Sequence, residues 1–285
     1  MISSSFSNDK VAVVTGSSSG IGLETSVLLA KSGFHTYATA RNPEKSQTLI
    51  DIARDNGLPI QTMQLDVTSD KSVNDAVSRI LLESKRIDVV VNNAGYALVG
   101  ALEDSSIDEI KAQFETNLFG TIRVMQAVLP TMRNQRGGRI VNLSSMGGII
   151  AIPFDSSYHG TKFALEGLSE SLQYEVEQFG IKIILIEPGA IKSNFFNNLK
   201  PASNAQKLDS QYAQTMQKLN ARFSSLVENA PPAIEVAKVI LKAVISEDPE
   251  LRYTVGEDAA AMIQAKRSMS DREFGKLMKK QFLSE

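Results

Sequence analysis

The chain of 285 residues contains no cysteine and only two histidines, His35 and His159. Without thiols there is no disulfide, no thiolate zinc site and no cysteine nucleophile. Two histidines leave little material for a histidine-rich metal site or a Ser-His-Asp triad, so no metal site is expected. Charge of one sign is also missing: 30 basic side chains face 32 acidic ones, a formal charge of −2. A nucleic-acid binder would carry a basic stripe, so that class is set aside. No run approaches the roughly 20 apolar residues of a membrane helix. Apolar runs such as Val11-Ala12-Val13-Val14 and Ile183-Ile184-Leu185-Ile186 are of strand length. Residues 1–9 are Ser-rich, lack the basic start and apolar core of an export signal, and read as a disordered arm. The expectation is a cytoplasmic protein without a transmembrane segment.

What is present is alternation. Short apolar runs at 10–15, 34–39, 59–64, 87–91, 138–142, 181–186 and 251–255 predict strands. Amphipathic stretches at 20–32, 43–56, 70–84, 107–134, 156–179 and 233–247 predict helices. That order implies an α/β protein with a doubly wound, mostly parallel, seven-stranded sheet under helices. No composition break divides residues 10–285, which are read as one Rossmann-type domain. Phe114, Leu118, Ile122, Met125, Leu129 and Met132 form a stripe at helical spacing, as do Leu165, Leu168, Leu172, Val176 and Phe179 with Ala164. Both stripes read as core or as a subunit face, and the two helices are expected to pair with copies of themselves in a dimer or tetramer.

Residues 191–232 are polar, amide-rich and without a predicted strand, closing on Pro231-Pro232. Roughly 40 residues far exceeds the usual connection of about 4–6, which marks the segment as a substrate lid. A helical tail is expected over 258–285; Lys266, Arg267, Arg272, Lys276, Lys279 and Lys280 outnumber its acids Asp271 and Glu273 within 266–280. A solvated face explains such a cluster; a membrane surface or a partner is the other reading.

After the first strand stands Thr15-Gly16-Ser17-Ser18-Ser19-Gly20-Ile21-Gly22, directly before a helix. Gly16 permits a tight turn, Gly20 lets backbone approach a pyrophosphate, and Gly22 lets helix and strand pack closely. Unpaired N–H groups at the helix start then face the phosphates. These residues, with Ser18 and Ile21, are candidate cofactor ligands. An NAD site places an acid about 20 residues further on, against the ribose 2′-hydroxyl. Here that region reads Ala38-Thr39-Ala40-Arg41. Arg41 offers a planar cation for a 2′-phosphate, with the Ser18 hydroxyl beside it, so NADP(H) is expected in preference to NAD(H). The other reading of Arg41 is a plain exposed loop cation.

Tyr158 and Lys162 are four apart at the start of a predicted helix and share a face. Tyrosine alone, with a pKa near ~10, is a poor base at neutral pH, and a neighbouring ammonium lowers that value. With 6 tyrosines in the chain the pair can arise by chance. Its weight comes from Ser145, just beyond the fifth strand and at the sheet end that holds the glycine turn. Ser145 can donate a hydrogen bond to a carbonyl; no histidine is placed to make it a nucleophile. Ser144 is its rival and is read as structural, as is His159, which one helical step turns away from Tyr158.

In this joint pattern the chain resembles a single-domain short-chain dehydrogenase/reductase from about Lys10 to Ser193, and more weakly to Gly256. The motifs are Thr15–Gly22, Asp66-Val67, Asn92-Asn93-Ala94-Gly95, Asn117, Ser145, Tyr158 with Lys162, and Pro188-Gly189. The resemblance implies that Asp66 and Val67 meet the adenine and that Asn93, Ala94 and Gly95 line the cofactor cleft. It implies that Tyr158 exchanges a proton with the substrate oxygen while Lys162 lowers its pKa and holds the nicotinamide ribose. Ser145 would orient the carbonyl, and Asn117 would hold a water relaying protons to Lys162. Pro188, Gly189 and Ser193, where the family usually has Thr, would meet the nicotinamide end. Arg41 followed by Asn42-Pro43, the Pro153-Phe154 pair and Arg252-Tyr253 resemble the hydroxysteroid and retinol dehydrogenase branch. Met146, Ile149, Ile150, Phe154, Phe195, Phe196 and Leu199 suggest an apolar wall, hence an apolar ketone, aldehyde or alcohol as substrate. Two other readings stay open: a silent NADP-binding sensor of the same fold, and a nucleotide-sugar epimerase or dehydratase.

Overall fold

The computed structural model describes residues 10–205, 207 and 210–283; the expected arm at 1–9 lies outside them. Seven parallel strands form the main sheet: β1 (Val11–Thr15), β2 (His35–Ala40), β3 (Ile60–Gln64), β4 (Val89–Asn92), β6 (Gly138–Leu143), β7 (Ile181–Pro188) and β9 (Arg252–Val255). Their spatial order is β3-β2-β1-β4-β6-β7-β9. The order reverses between β1 and β4, so the connections leave in opposite directions there and open a crevice at the carboxyl ends. The class is the one expected: a single Rossmann-like domain with a doubly wound sheet.

Burial on both faces explains the strand sequences. Val11, Ala12, Val13 and Val14 are all buried, with Val11 and Val13 on one face and Ala12 and Val14 on the other. The first face is covered by α3 (Asp70–Ser84), α5 (Gly120–Gln135) and α6 (Ser156–Val176); the second by α1 (Gly20–Lys31) and α9 (Ala233–Ile245). Val124, Met125, Val128 and Met132 line the inner side of α5 and are almost fully buried. The predicted apolar stripes therefore serve the core. A smaller helix, α2 (Gln47–Asp55), begins with a tight 3₁₀ turn at Pro43–Ser46, because Pro43 presets the first turn.

Three expectations need correction. The stretch 107–134 is not one helix: α4 (Ile107–Phe114) gives way to a π-helical turn at Glu115–Phe119 before α5 begins. The 3.6-residue spacing of its apolar side chains survives across that turn, so sequence periodicity does not reveal it. Segment 191–232, expected to lack strands, contains β8 (Lys200–Pro201), which pairs in parallel with β5 (Leu98–Val99). Two residues are too few to produce an alternating pattern. The same segment also holds α7 (Asn194–Asn197) and α8 (Ala213–Glu228). Finally the helix ending near 179 stops its α-helical course at Val176 and closes in a 3₁₀ turn before Gly180, whose φ of 71° reverses the chain.

A charged network ties α6 to the far edge of the sheet. The Arg252 guanidinium meets Glu166 at 3.0 Å, Glu170 at 2.7 Å and Glu187 at 3.4 Å. Glu166 and Glu187 are nearly fully buried, and burial together with the Glu166 charge pushes the Glu187 carboxyl up. Removing the cation would strand two acids in the interior. The Arg252→Met variant should lose about 3–5 kcal/mol of unfolding free energy in urea titrations at neutral pH; a loss below about 1 kcal/mol would show that the network is not stabilising.

Candidate active site

The site is built at the carboxyl ends of β1, β4, β6 and β7. After β1, Gly16 and Gly20 take φ of 68° and 57°, values that side-chain-bearing residues seldom adopt. A Cβ on Gly22 would collide with the Gly16 carbonyl and the Asn93 amide. Asn93 holds the turn: its Nδ2 donates to the carbonyls of Thr15 at 2.9 Å and Gly16 at 3.0 Å. The Thr15 hydroxyl accepts the main-chain N–H groups of Asn93 and Ala94. Helix α1 then starts behind Ser19, which makes no side-chain cap. An uncapped helix start beside a glycine turn is the donor set that a pyrophosphate needs. The residues present fit a dinucleotide.

Ser18 is half-buried on the same turn, and Arg41 is exposed at the end of β2. No acid stands at that strand end. Asp66 accepts hydrogen bonds from the Thr68 N–H and hydroxyl, and Val67 is buried against Gly120. At the end of β7 lie Pro188 and Gly189, and Ser193 caps α7 by accepting the Phe195 N–H. Ser193 also abuts Gly20, 3.4 Å from where a Cβ would stand. The glycine turn and the 191–232 segment thus close on each other.

Beyond β6 the two serines part. Ser144 is buried in the interior, whereas Ser145 is partly exposed and its hydroxyl lies 3.4 Å from the Pro188 carbonyl. Helix α6 carries Tyr158 and Lys162 on one face, with the Lys162 Nζ 5.6 Å from the centre of the Tyr158 ring. Lys162 donates to the Leu143 carbonyl at 2.6 Å; burial lowers its pKa to about 8, opposed by the negative charge of Glu166. Tyr158 departs from expectation. Burial raises the phenol well above its ordinary value, a hydrogen bond with Ser145 lowers it, and the charge of Asp155 raises it again. The lowering expected from Lys162 is not among the causes: Ser145 alone opposes the rise, and desolvation outweighs it. The phenol is held protonated at neutral pH.

Asn117 lies in the π-turn, buried, and its side chain is fully engaged. It donates to the Tyr96 carbonyl at 2.8 Å and to the Thr161 hydroxyl at 3.4 Å, and accepts the Tyr96 N–H at 3.1 Å. Gly95 packs against that amide, its Cβ position 3.1 Å from the Asn117 Oδ1. His159 braces the loop before α6: Nδ1 faces the Gly147 carbonyl at 2.7 Å, and Nε2 accepts the Ile152 N–H at 3.0 Å. It takes no part in the cleft.

Several supporting residues escape a reading of the sequence. The Asn92 amide donates to Asn142 across β4 and β6 at 2.8 Å, and Asn142 in turn to Ser169 on α6 at 2.9 Å. Asp258, in the first turn of α10 (Glu257–Ser268), accepts the Ala190 N–H at 2.8 Å and shapes the loop after β7. These three contacts join residues 27 to 68 apart in sequence, so neighbouring residues carry no sign of them.

The segment 191–232 is latched to residues 101–109. Ser203 N–H donates to Glu109 at 2.8 Å, the Ser210 hydroxyl to Asp104 at 2.8 Å, and the Tyr212 hydroxyl to Glu103 at 2.7 Å. Beneath it lies an apolar cluster in which Phe154, Tyr158, Phe195 and Leu199 pack with Phe274 and Met278 of α11 (Asp271–Phe282). Of the residues expected to form an apolar wall, Met146, Ile149, Ile150, Phe154, Phe195 and Leu199 lie in this cluster, and Phe196 packs edge-on against Phe195. A cleft of roughly 550 Å³ opens beside it, lined by Leu102, Pro153, Phe154, Ser156 and Tyr212 among others.

The chain matches the short chain dehydrogenase family model over residues 10–204. It is 35% identical to the 3-ketodihydrosphingosine reductase of Bacteroides thetaiotaomicron over 247 residues, covering 87% of this chain and 88% of that one. It is 36% identical to estradiol 17-beta-dehydrogenase 1 of Rattus norvegicus over 251 residues, 85% of this chain and 72% of that one. A short-chain dehydrogenase structure from Streptomyces avermitilis superposes with a TM-score of 0.81 at 33% identity, covering 95% and 97% of the two chains. The chain therefore belongs to the short-chain dehydrogenase/reductase family, as an NAD(P)-binding oxidoreductase acting on CH–OH groups in the hydroxysteroid-like branch.

The His159 geometry predicts an acid limit. Burial holds this imidazole neutral and lowers its pKa, while an unfolded histidine titrates near ~6.5. Its contribution to stability is complete above that value and is lost as pH falls below it, because unfolding then takes up a proton. The melting temperature should fall from about pH 6.5 downward, and His159→Asn should flatten that slope. An unchanged slope in the variant would assign the acid sensitivity elsewhere.

Proposed function

We propose that the protein is an NADP(H)-dependent reductase of apolar ketones or aldehydes, able to run in reverse as an alcohol dehydrogenase. The observation that carries the reading is the convergence of Ser145 and Tyr158, with Lys162 one turn further on, beside the glycine turn at the carboxyl end of the sheet. Gly16, Ser18, Gly20, Ile21 and Gly22 would hold the pyrophosphate, Asp66 and Val67 the adenine, and Asn93, Ala94 and Gly95 the cleft floor. Pro188, Gly189 and Ser193 would hold the nicotinamide end. Arg41, exposed and with no ion pair among the described residues, would take the 2′-phosphate. The bound cofactor supplies the hydride.

The chain's own residues do the rest. A protonated Tyr158 Oη would donate its proton to the developing alkoxide. Ser145 donates to the same oxygen and fixes the carbonyl. The cation of Lys162 compensates the negative charge left on the phenolate and would reach the ribose hydroxyls. Asn117, its amide engaged by Tyr96 and Thr161, would offer its main-chain carbonyl to a relay water. Residues 191–232 would act as the lid, with Phe154, Phe195 and Leu199 excluding water around the carbonyl. Relatives named for 3-ketodihydrosphingosine and estradiol support an apolar substrate.

Self-association is part of the proposal. Ile107 on α4, Phe119 in the π-turn, and Phe163 and Tyr174 on α6 are large apolar side chains left exposed, and two-fold pairing of these helices into a dimer or tetramer would cover them.

Two outcomes test the assignment. Tyr158→Phe should lower kcat for ketone reduction by about a hundredfold or more while leaving NADPH binding nearly unchanged; near-normal turnover would refute the acid role. Arg41→Ala should raise KM for NADPH by about tenfold and leave that for NADH almost unaltered. Equal use of both cofactors by the unmodified protein would remove the argument from Arg41.

A further inference from the structure

Residues 188–193 bridge the two ends of the site. At one end the Pro188 carbonyl lies 3.4 Å from the Ser145 hydroxyl. At the other, Ser193 stands 3.4 Å from the place a Cβ would take on Gly20 of the phosphate turn. A dinucleotide with its pyrophosphate on that turn and its reactive ring beside Ser145 must run along this loop. The adenine half would lie on the other side of β1, toward Arg41 and Asp66, because β2 and β3 flank that side of the sheet. How firmly the loop is held therefore bears on one half of the cofactor and not on the other.

The loop is held by Asp258. Pairing of β7 with β9 ends at Pro188 and Val255, and one further main-chain bond joins the Gly189 N–H to the Val255 carbonyl at 2.9 Å. The next N–H, that of Ala190, lies beyond the ladder and donates to Asp258 Oδ2 at 2.8 Å. The same carboxylate excludes a side chain at position 189. A Cβ on Gly189 would collide with both of its oxygens, and the three atoms nearest that Cβ all belong to Asp258. An acid in the first turn of a helix is ordinarily explained by the helix dipole; this one directs its hydrogen bond out of α10 to another element. The helix that carries it is anchored, with Ala259 and Ile263 buried and Phe274 and Met278 of the following α11 in the apolar cluster beneath residues 191–232.

We infer that Asp258 is a positioning residue for the nicotinamide half of the cofactor: it fixes the loop after β7 on which that half rests, and so tightens its binding without touching it. The assignment rests on the reading of Pro188, Gly189 and Ser193 as the nicotinamide end, and it deepens that reading. In Asp258→Ala the Ala190 N–H loses its acceptor and the space behind Gly189 opens. The loop then gains freedom that cofactor binding must remove, which weakens the complex. Asp258→Asn keeps one carbonyl oxygen that can accept the same N–H. The hydrogen bond, and not the negative charge, is the part that matters.

The test compares NADPH with 2′-phospho-ADP-ribose, the same ligand without nicotinamide, by calorimetric titration of the full chain. The unmodified protein should bind NADPH more tightly. Asp258→Ala should raise Kd for NADPH by about tenfold or more, and that for 2′-phospho-ADP-ribose by less than about twofold. Asp258→Asn should recover most of the NADPH affinity. Equal weakening of both ligands would show a merely structural role, and an unchanged Kd for NADPH would show that the hydrogen bond is idle; either overturns the assignment. A mutant cycle uses the collision at position 189. Gly189→Ala should weaken NADPH binding in the unmodified background, and should weaken it no further when added to Asp258→Ala, because the atoms it strikes are gone. Additive losses would sink the idea that the two residues form one contact. If the unmodified protein binds NADPH no better than 2′-phospho-ADP-ribose, the nicotinamide end of the site is misplaced and the Asp258 assignment falls with it; the other failures leave that placement standing. The same comparison with NADH and ADP-ribose keeps the result readable should the cofactor preference be the reverse of that argued from Arg41.

Discussion

The amide of Asn93 donates to two successive carbonyls, those of Thr15 and Gly16, and the rest of the site depends on that bracket. It fastens the end of β4 to the turn after β1, across the point where strand order reverses. There the neighbouring chains diverge to opposite faces of the sheet. The bracket engages both carbonyls and keeps the turn open. Gly22 can then approach so closely that no side chain fits between α1 and the turn. The crevice is thus a consequence of topology, and its shape a consequence of one side chain.

A second set of contacts runs through the interior to α6. Asn92, Asn142 and Ser169 form a buried polar chain from the central strand to the helix, and Arg252 fastens the same helix to β7 and β9 through Glu166 and Glu187. Polar groups in such positions are worth having only if they are paired, since each lost partner exposes a desolvated group to the low-dielectric interior. Their effect is to fix the axial position and rotation of α6. Tyr158 and Lys162 inherit that placement, and Glu166, one turn beyond Lys162, favours its cationic form. Positioning and electrostatics are carried by the same residues.

Burial then decides the proton chemistry. At Tyr158 desolvation prevails over the one opposing contact, the hydrogen bond with Ser145. The result is a neutral acid poised at the cleft, with its cation one turn behind. The latching of Ser203, Ser210 and Tyr212 onto Glu109, Asp104 and Glu103 borders the apolar side of that cleft. Asp155 and Tyr158 are both perturbed by the enclosure, and in the same direction.

The local pattern of residues was sufficient for much of this. Alternating apolar runs and helical stripes determine a parallel sheet under helices, since a strand buried on both faces must be apolar throughout. The glycine spacing after β1, the absence of an acid near Arg41, and Ser145, Tyr158 and Lys162 in order are equally legible, because each rests on residues close together in the chain or at a strand end. Sequence spacing also separated His159 from Tyr158. Other features were decided only by the tertiary structure. The π-turn at Asn117 leaves the apolar period intact and so leaves no trace in it. The two-residue pairing of β5 with β8, the clamp of Asp258 on the loop after β7 and the Glu166–Arg252 pair all join distant parts of the chain. The phenol of Tyr158 and the carboxyl of Asp155, whose Oδ1 has no partner, take their properties from how completely water is excluded around them. Exclusion of water belongs to packing in three dimensions, and no spacing along the chain encodes it.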